Sequence, residues 1–109
     1  PGAEIVDELD VQPADIKMSR IHGMTAFTGT ELDAVVRNLG ARTVVIMGVS
    51  VNLGVLGTAL SACDLGYQVV IVRDAVCGIP TEYADAVIDN SLSMIATIVT
   101  SDELIAAWS

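Results

Sequence analysis

His22 is the only histidine among 109 residues, and Arg20 stands two positions before it in the stretch Ser19-Arg-Ile-His-Gly23. An imidazole titrates near neutral pH and can give or take a proton, whereas a guanidinium stays charged to above about pH 12 and holds carboxylates in a planar fork. Arg20 therefore suits anion binding, and His22 acid or base work. A solvated loop histidine and a surface ion pair in an acidic protein are the plainer alternatives, and both stay open. Cys63 and Cys77 are the only thiols, without the C-x-x-C spacing of zinc or redox sites. Cys63 falls inside a helical pattern and reads as a small buried apolar residue. One histidine and scattered acids make no ligand cluster, so no metal and no cofactor is expected. A third element of chemistry is backbone: Gly54 follows Gly48-Val-Ser-Val-Asn52 at the start of a helical pattern. A helix start offers N–H groups to a developing anion or a carboxylate. Gly57, one turn later, leaves a second reading, in which this helix simply carries glycines for packing.

The elements that must position these groups alternate along the chain. Asp15 to Arg20 alternates polar and apolar residues as a strand does, and leads into the Arg20–His22 loop. Thr30 can cap a helix whose Leu32, Val35, Val36 and Leu39 share one face, and Gly40 ends it. Thr43 to Met47 is a β-branched run; Asn52 to Leu65 has helical spacing and closes at Gly66; Gln68 to Val72 is a second apolar run. Asp74 to Thr81 reads as a loop, in which Asp74 satisfies loop N–H groups or lies by a ligand. Ala84, Val87, Ile88, Leu92 and Ile95 mark another helix, Ala96 to Thr100 a last strand, and Asp102 to Trp108 a final helix with Thr100 and Glu103 at capping-box spacing. Strand–helix alternation with continuously apolar strands predicts a parallel, doubly wound α/β sheet with helices on both faces.

Bulk properties narrow the function. A net charge of −9, with Lys17, Arg20, Arg37, Arg42 and Arg73 dispersed, argues against nucleic acid. No apolar run approaches the roughly 18 residues needed to span a bilayer, so no membrane partner is expected, and the reduced thiols point to a cytoplasmic setting. The length allows one domain at most. An apolar share of 52% against 17% charged residues leaves faces that need covering, and suggests a homo-oligomer.

Ala26-Phe-Thr-Gly-Thr-Glu-Leu-Asp33, Gly48-Val-Ser-Val-Asn52, Val55 with Thr58-Ala59, Asp64-Leu-Gly-Tyr67 and Asp74-Ala75 together resemble the isochorismatase-like hydrolases in order and spacing. The resemblance runs over nearly the whole chain. It implies a three-layer, Rossmann-like sheet of about six parallel strands, of which residues 1–109 supply the last four as the C-terminal portion of a single domain. The two absent strands would lie between the first strand here and the other three, so an N-terminal segment of the same domain is expected as a partner. The family's catalytic aspartate would sit on that segment. Pro1 is accordingly read as a cut end.

The same resemblance implies roles for individual residues. The amidase members carry a cysteine where this chain has Gly54, so covalent thiol attack lacks its nucleophile; members that hydrolyse a vinyl ether by acid catalysis need none. The family's catalytic lysine falls at Ile21 when counted back from Phe27, or at Arg20 when counted forward along the strand, and Arg20 would bind charge in its place. His22, Phe27, Val49, Ser50, Asn52 and Leu53 would line the substrate site, with Val49–Ser50 matching a cis peptide of the family. Phe27 also fits an ordinary hydrophobic staple before a helix. The implied activity is cysteine-independent hydrolysis of a small carboxylate- or ether-bearing metabolite. The alternatives are a non-catalytic relative that binds a metabolite or assembles with other subunits, and an amidase with a displaced thiol.

Overall fold

The computed structural model describes residues 5, 7–19 and 23–108. Three parallel strands, β1 (Thr43–Val49), β2 (Gln68–Cys77) and β3 (Thr97–Val99), form one sheet in the order β1-β2-β3. Four helices accompany them: α1 (Leu32–Asn38), α2 (Leu56–Asp64), α3 (Thr81–Asn90) and α4 (Ser101–Trp108). Each strand is apolar and β-branched, and each crossover carries a helix, as parallel pairing requires.

The core lies on one face of the sheet. Val69 and Ile71 from β2 pack with Val55, Ala59 and Ala62 of the α2 region and with Ala84, Val87 and Ile88 of α3, while Leu32 and Val36 of α1 close the side. Val72 is fully buried yet outside this cluster. Alternation along β2 turns it to the opposite face, where α4 packs against the strand. The sheet is thus covered on both faces.

Local signals explain most boundaries. The Thr30 hydroxyl accepts the Leu32 N–H at 3.2 Å, and Gly40, at φ 78°, turns the chain out of α1. Gly66, at φ 95°, does the same after α2. At α4 the capping box forms in both directions: Glu103 Oε1 accepts the Thr100 N–H at 2.8 Å and Thr100 Oγ1 accepts the Glu103 N–H at 3.2 Å.

Three expectations need correction. Asp15–Ser19 is not a strand, so the sheet has three strands among the described residues, and Arg20 lies outside them. The physical reason is pairing: alternation makes a strand only where another strand takes its N–H and C=O groups, and among the described residues no strand pairs with this segment. The expected loop from Asp74 is instead strand as far as Cys77, because Gly48 and Val49 pair with Val76 and Cys77 beyond a register shift. The helix predicted from Asn52 opens with a π-helical turn, Val51–Val55, before α2.

Candidate functional site

The carboxyl end of β1 is where the sheet stops being regular. Pairing runs evenly from Thr43–Gln68 to Ile46–Ile71, then resumes at Gly48–Val76. Gly48 takes φ 126°, open to glycine alone at little cost, and the Val49–Ser50 bond is cis, as the resemblance implied. The chain then enters the π turn, whose Leu53 and Val55 N–H groups both donate to the Ser50 carbonyl, at 3.2 and 2.9 Å. Bulges and single π turns both recur beside functional sites, because each re-aims backbone groups.

This mouth gathers most of the residues singled out in the sequence. Ser50 Oγ donates to Asn52 Oδ1 at 2.6 Å, and both residues are half-buried. Val49 is 71% and Leu53 54% exposed, two large apolar side chains facing outward. Gly54 sits within the π turn. A Cβ added there would stand 3.6 Å from the Met24 and Val49 carbonyl oxygens, an ordinary contact, and its φ is not left-handed. Packing does not dictate glycine at position 54.

Two residues given no site role in the sequence frame the mouth. The Thr58 hydroxyl, one turn into α2, accepts the Ala26 N–H at 3.0 Å and ties the Gly23–Thr30 segment to the helix. Gly57 faces the same segment, its Cβ position 3.4 Å from Thr25 Cγ2. A hydroxyl four residues past a glycine on one helical face was the available signal. Gly78 is the second: a Cβ there would lie 2.9 Å from Asn52 Oδ1, 3.1 Å from Ala84 Cβ and 3.3 Å from Val51 Cβ. Its position before Ile79-Pro80 marked a turn, but not what it packs on.

Phe27 is buried at 9% exposure and stacks on Tyr67, ring centroids 6.0 Å apart. It lines a cavity of about 400 Å³ between α1 and the open side of β1, together with Leu32, Val36, Val44, Ile46 and Thr58. Arg37 lies over the Tyr67 ring, donates to Asp33 at 2.9 Å and reaches the Leu65 carbonyl. Tyr67 donates to Asp33 Oδ1 at 2.6 Å, and burial, then this hydrogen bond, raises its hydroxyl pKa. These contacts fasten α1 to the end of α2. Arg20 and His22 lie outside the described residues, so the charge and proton roles expected of them have no geometry here.

Three further charged residues make contacts within the fold. Asp74 accepts the Ser101 N–H at 2.7 Å and the Ser101 hydroxyl at 2.6 Å, and the hydroxyl above all holds its carboxyl below the usual range. Arg73 pairs with Asp89 at 2.7 Å. Both cysteines are exposed and free, so Cys63 is not the buried apolar residue that its helical spacing predicted. Cys77 follows Val76, which packs on the core, so alternation directs its sulfur to the other face. Among the described residues no group of three or more His, Cys, Asp or Glu could hold a metal, and no helix is long and apolar enough to cross a membrane.

A parallel α/β sheet whose chemistry-bearing groups collect at a strand's carboxyl end and the following helix start is the architecture of a small-molecule binding α/β domain. Residues 1–103 match the family model described as Isochorismatase domain, and the chain belongs to that family. It is 34% identical over 103 residues to the uncharacterized isochorismatase family protein YwoC of Bacillus subtilis, covering 94% of this chain and 54% of that protein. The isochorismatase family protein of Desulfovibrio vulgaris superposes with a TM-score of 0.86 at 32% identity, over 97% of this chain and 57% of its own. The N-carbamoylsarcosine amidase of Thermoplasma acidophilum does so with 0.81 at 30% identity, over 93% and 57%. The chain spans about half the length of the relatives it matches.

Proposed function

We propose that this chain supplies the helix-mouth half of an isochorismatase-like hydrolase site, which acts on a small carboxylate- or ether-bearing metabolite without a cysteine nucleophile. The observation that carries the reading is Gly54. The π turn leaves room for a Cβ at that position, yet none is present. The mouth thus sets the Ser50–Asn52 pair and apolar Val49 and Leu53 at the positive end of a helix, suited to holding an anionic group against an apolar body. Arg20 and His22, close in sequence to the docked Gly23–Thr30 segment, supply fixed charge and proton transfer in this reading. The catalytic acid belongs to a further segment of the same domain. The open edge of β1 supports that part: an exposed edge presents a row of backbone N–H and C=O groups for a further strand, and among the described residues β1 pairs only with β2. The apolar cavity beside that edge is space for such a segment.

The test is hydrolysis by the complete protein of a vinyl-ether carboxylate, a carboxylate ester and a primary amide, before and after alkylation with iodoacetamide. Ether or ester turnover that survives alkylation supports the proposal. Inactivity on both classes, with binding retained, turns the assignment to a non-catalytic metabolite-binding relative. Activity lost on alkylation, and in Cys63→Ser or Cys77→Ser, returns it to thiol chemistry.

A further inference from the structure

Gly78 ends up against the helix mouth although it lies 24 residues beyond Gly54 in sequence. It follows β2 and precedes the cis Ile79–Pro80 bond and α3. A Cβ at 78 would come within 2.9 Å of Asn52 Oδ1, closer than side chains tolerate, and would press tightly on Ala84 Cβ and Val51 Cβ at 3.1 and 3.3 Å. Val51 is fully buried and Ala84 nearly so, and both contacts are to Cβ atoms fixed by the backbone. Neither can step aside without moving the π turn or α3. The Asn52 carboxamide is the part free to rotate, and it accepts the Ser50 hydroxyl. Crowding at 78 is therefore relieved by turning Asn52 away from Ser50.

We propose that Gly78 is a positioning residue of this site: its bare Cα lets the β2–α3 connection close on Asn52, which in turn fixes the direction of the Ser50 hydroxyl at the mouth. The proposal rests on the reading of the mouth as the substrate site. It assigns Gly78 no contact with substrate. Ser50 Oγ, committed as donor to Asn52, keeps its lone pairs as acceptors for a substrate N–H or O–H.

The experiment compares Gly78→Ala, Asn52→Ala and the double variant in the complete protein, with hydrolysis of the vinyl-ether carboxylate and the side-chain amide resonances of ¹⁵N-asparagine-labelled protein as readouts. Gly78→Ala is expected to move the Asn52 resonances and to lower kcat about tenfold while KM changes less than about threefold, and to cause no further loss in the Asn52→Ala background. Unmoved Asn52 resonances, or an equal kcat loss in both backgrounds, overturns the proposal. A moved resonance with kcat unchanged in a protein that does turn over substrate overturns the placing of the substrate site at this mouth, and the positioning role with it. Should Gly78→Ala not fold, Asn52→Ser beside the native glycine must reproduce the kcat loss, and full kcat in that variant overturns the proposal equally.

Discussion

Replacing Thr58 with valine removes one acceptor and almost no volume, which isolates the tie between α2 and the segment before α1. The Ala26 N–H, 3.0 Å from Thr58 Oγ1 in a half-buried setting, loses its partner. An orphaned donor costs about 1–3 kcal/mol, and partial access to water puts this one near the lower end, about 1 kcal/mol. Exchange of the Ala26 amide with solvent should then speed up about fivefold, since each 1.4 kcal/mol is a factor of ten. In a complete protein of the relatives' length, Tm should fall by about 2–4 °C. Amide exchange followed by NMR, with thermal unfolding on the same samples, measures both. Thr58→Ser keeps the acceptor and should leave the exchange rate near that of the parent. An unchanged Ala26 rate in the valine variant, or an equal change in the serine variant, would show that this hydrogen bond does not hold the segment down.

Asp74 gives the fold a definite acid response. Ser101 depresses its folded-state pKa, so its contribution is complete above the unfolded aspartate value of about 3.9 and disappears as pH falls through the lower folded value. The stability gap between parent and Asp74→Asn should be open at neutral pH and close on acidification; a gap constant down to low pH would count against the Ser101 contact. Thr100→Ala strips one arm of the capping box and should cost about 1 kcal/mol, seen as faster exchange confined to the first turn of α4. Leu92, fully buried below α3, should cost about 2–5 kcal/mol as alanine in denaturant unfolding, and a loss under about 1 kcal/mol would mean the core is not closed there.

The chain order of strands and helices was legible because its signals are local: β-branched runs at Thr43–Met47 and Gln68–Val72, glycines 40 and 66 at helix ends, Thr100 with Glu103. Each depends only on neighbours a few residues away. The segment at Asp15–Ser19 misled because alternation describes a surface, and a surface becomes a strand only when another chain segment pairs with it. The extension of β2 to Cys77 escaped for a related reason, since only the skip in pairing with β1 reveals it. At the site, the motif from Gly48 to Gly54 could be placed from sequence, while Thr58 and Gly78 acquire their meaning from contacts across 32 and 26 residues, to Ala26 and Asn52. For Gly54, packing and chemistry were both open explanations in the sequence, and only the structure shows that a Cβ would make no more than ordinary contacts there.

Between Ile46 and Gly48 the first strand advances two residues while its neighbour advances five, from Ile71 to Val76. That unequal stride makes a short detour in β2 where its pairing with β1 is skipped, and Arg73 and Asp74 lie on it and reach Asp89 and Ser101. Chain length in the detour therefore governs two distant attachments at once. Shortening it by even one residue would tighten the path to Cys77 and pull the final helix off its anchor, whereas many single substitutions within it would leave the route intact.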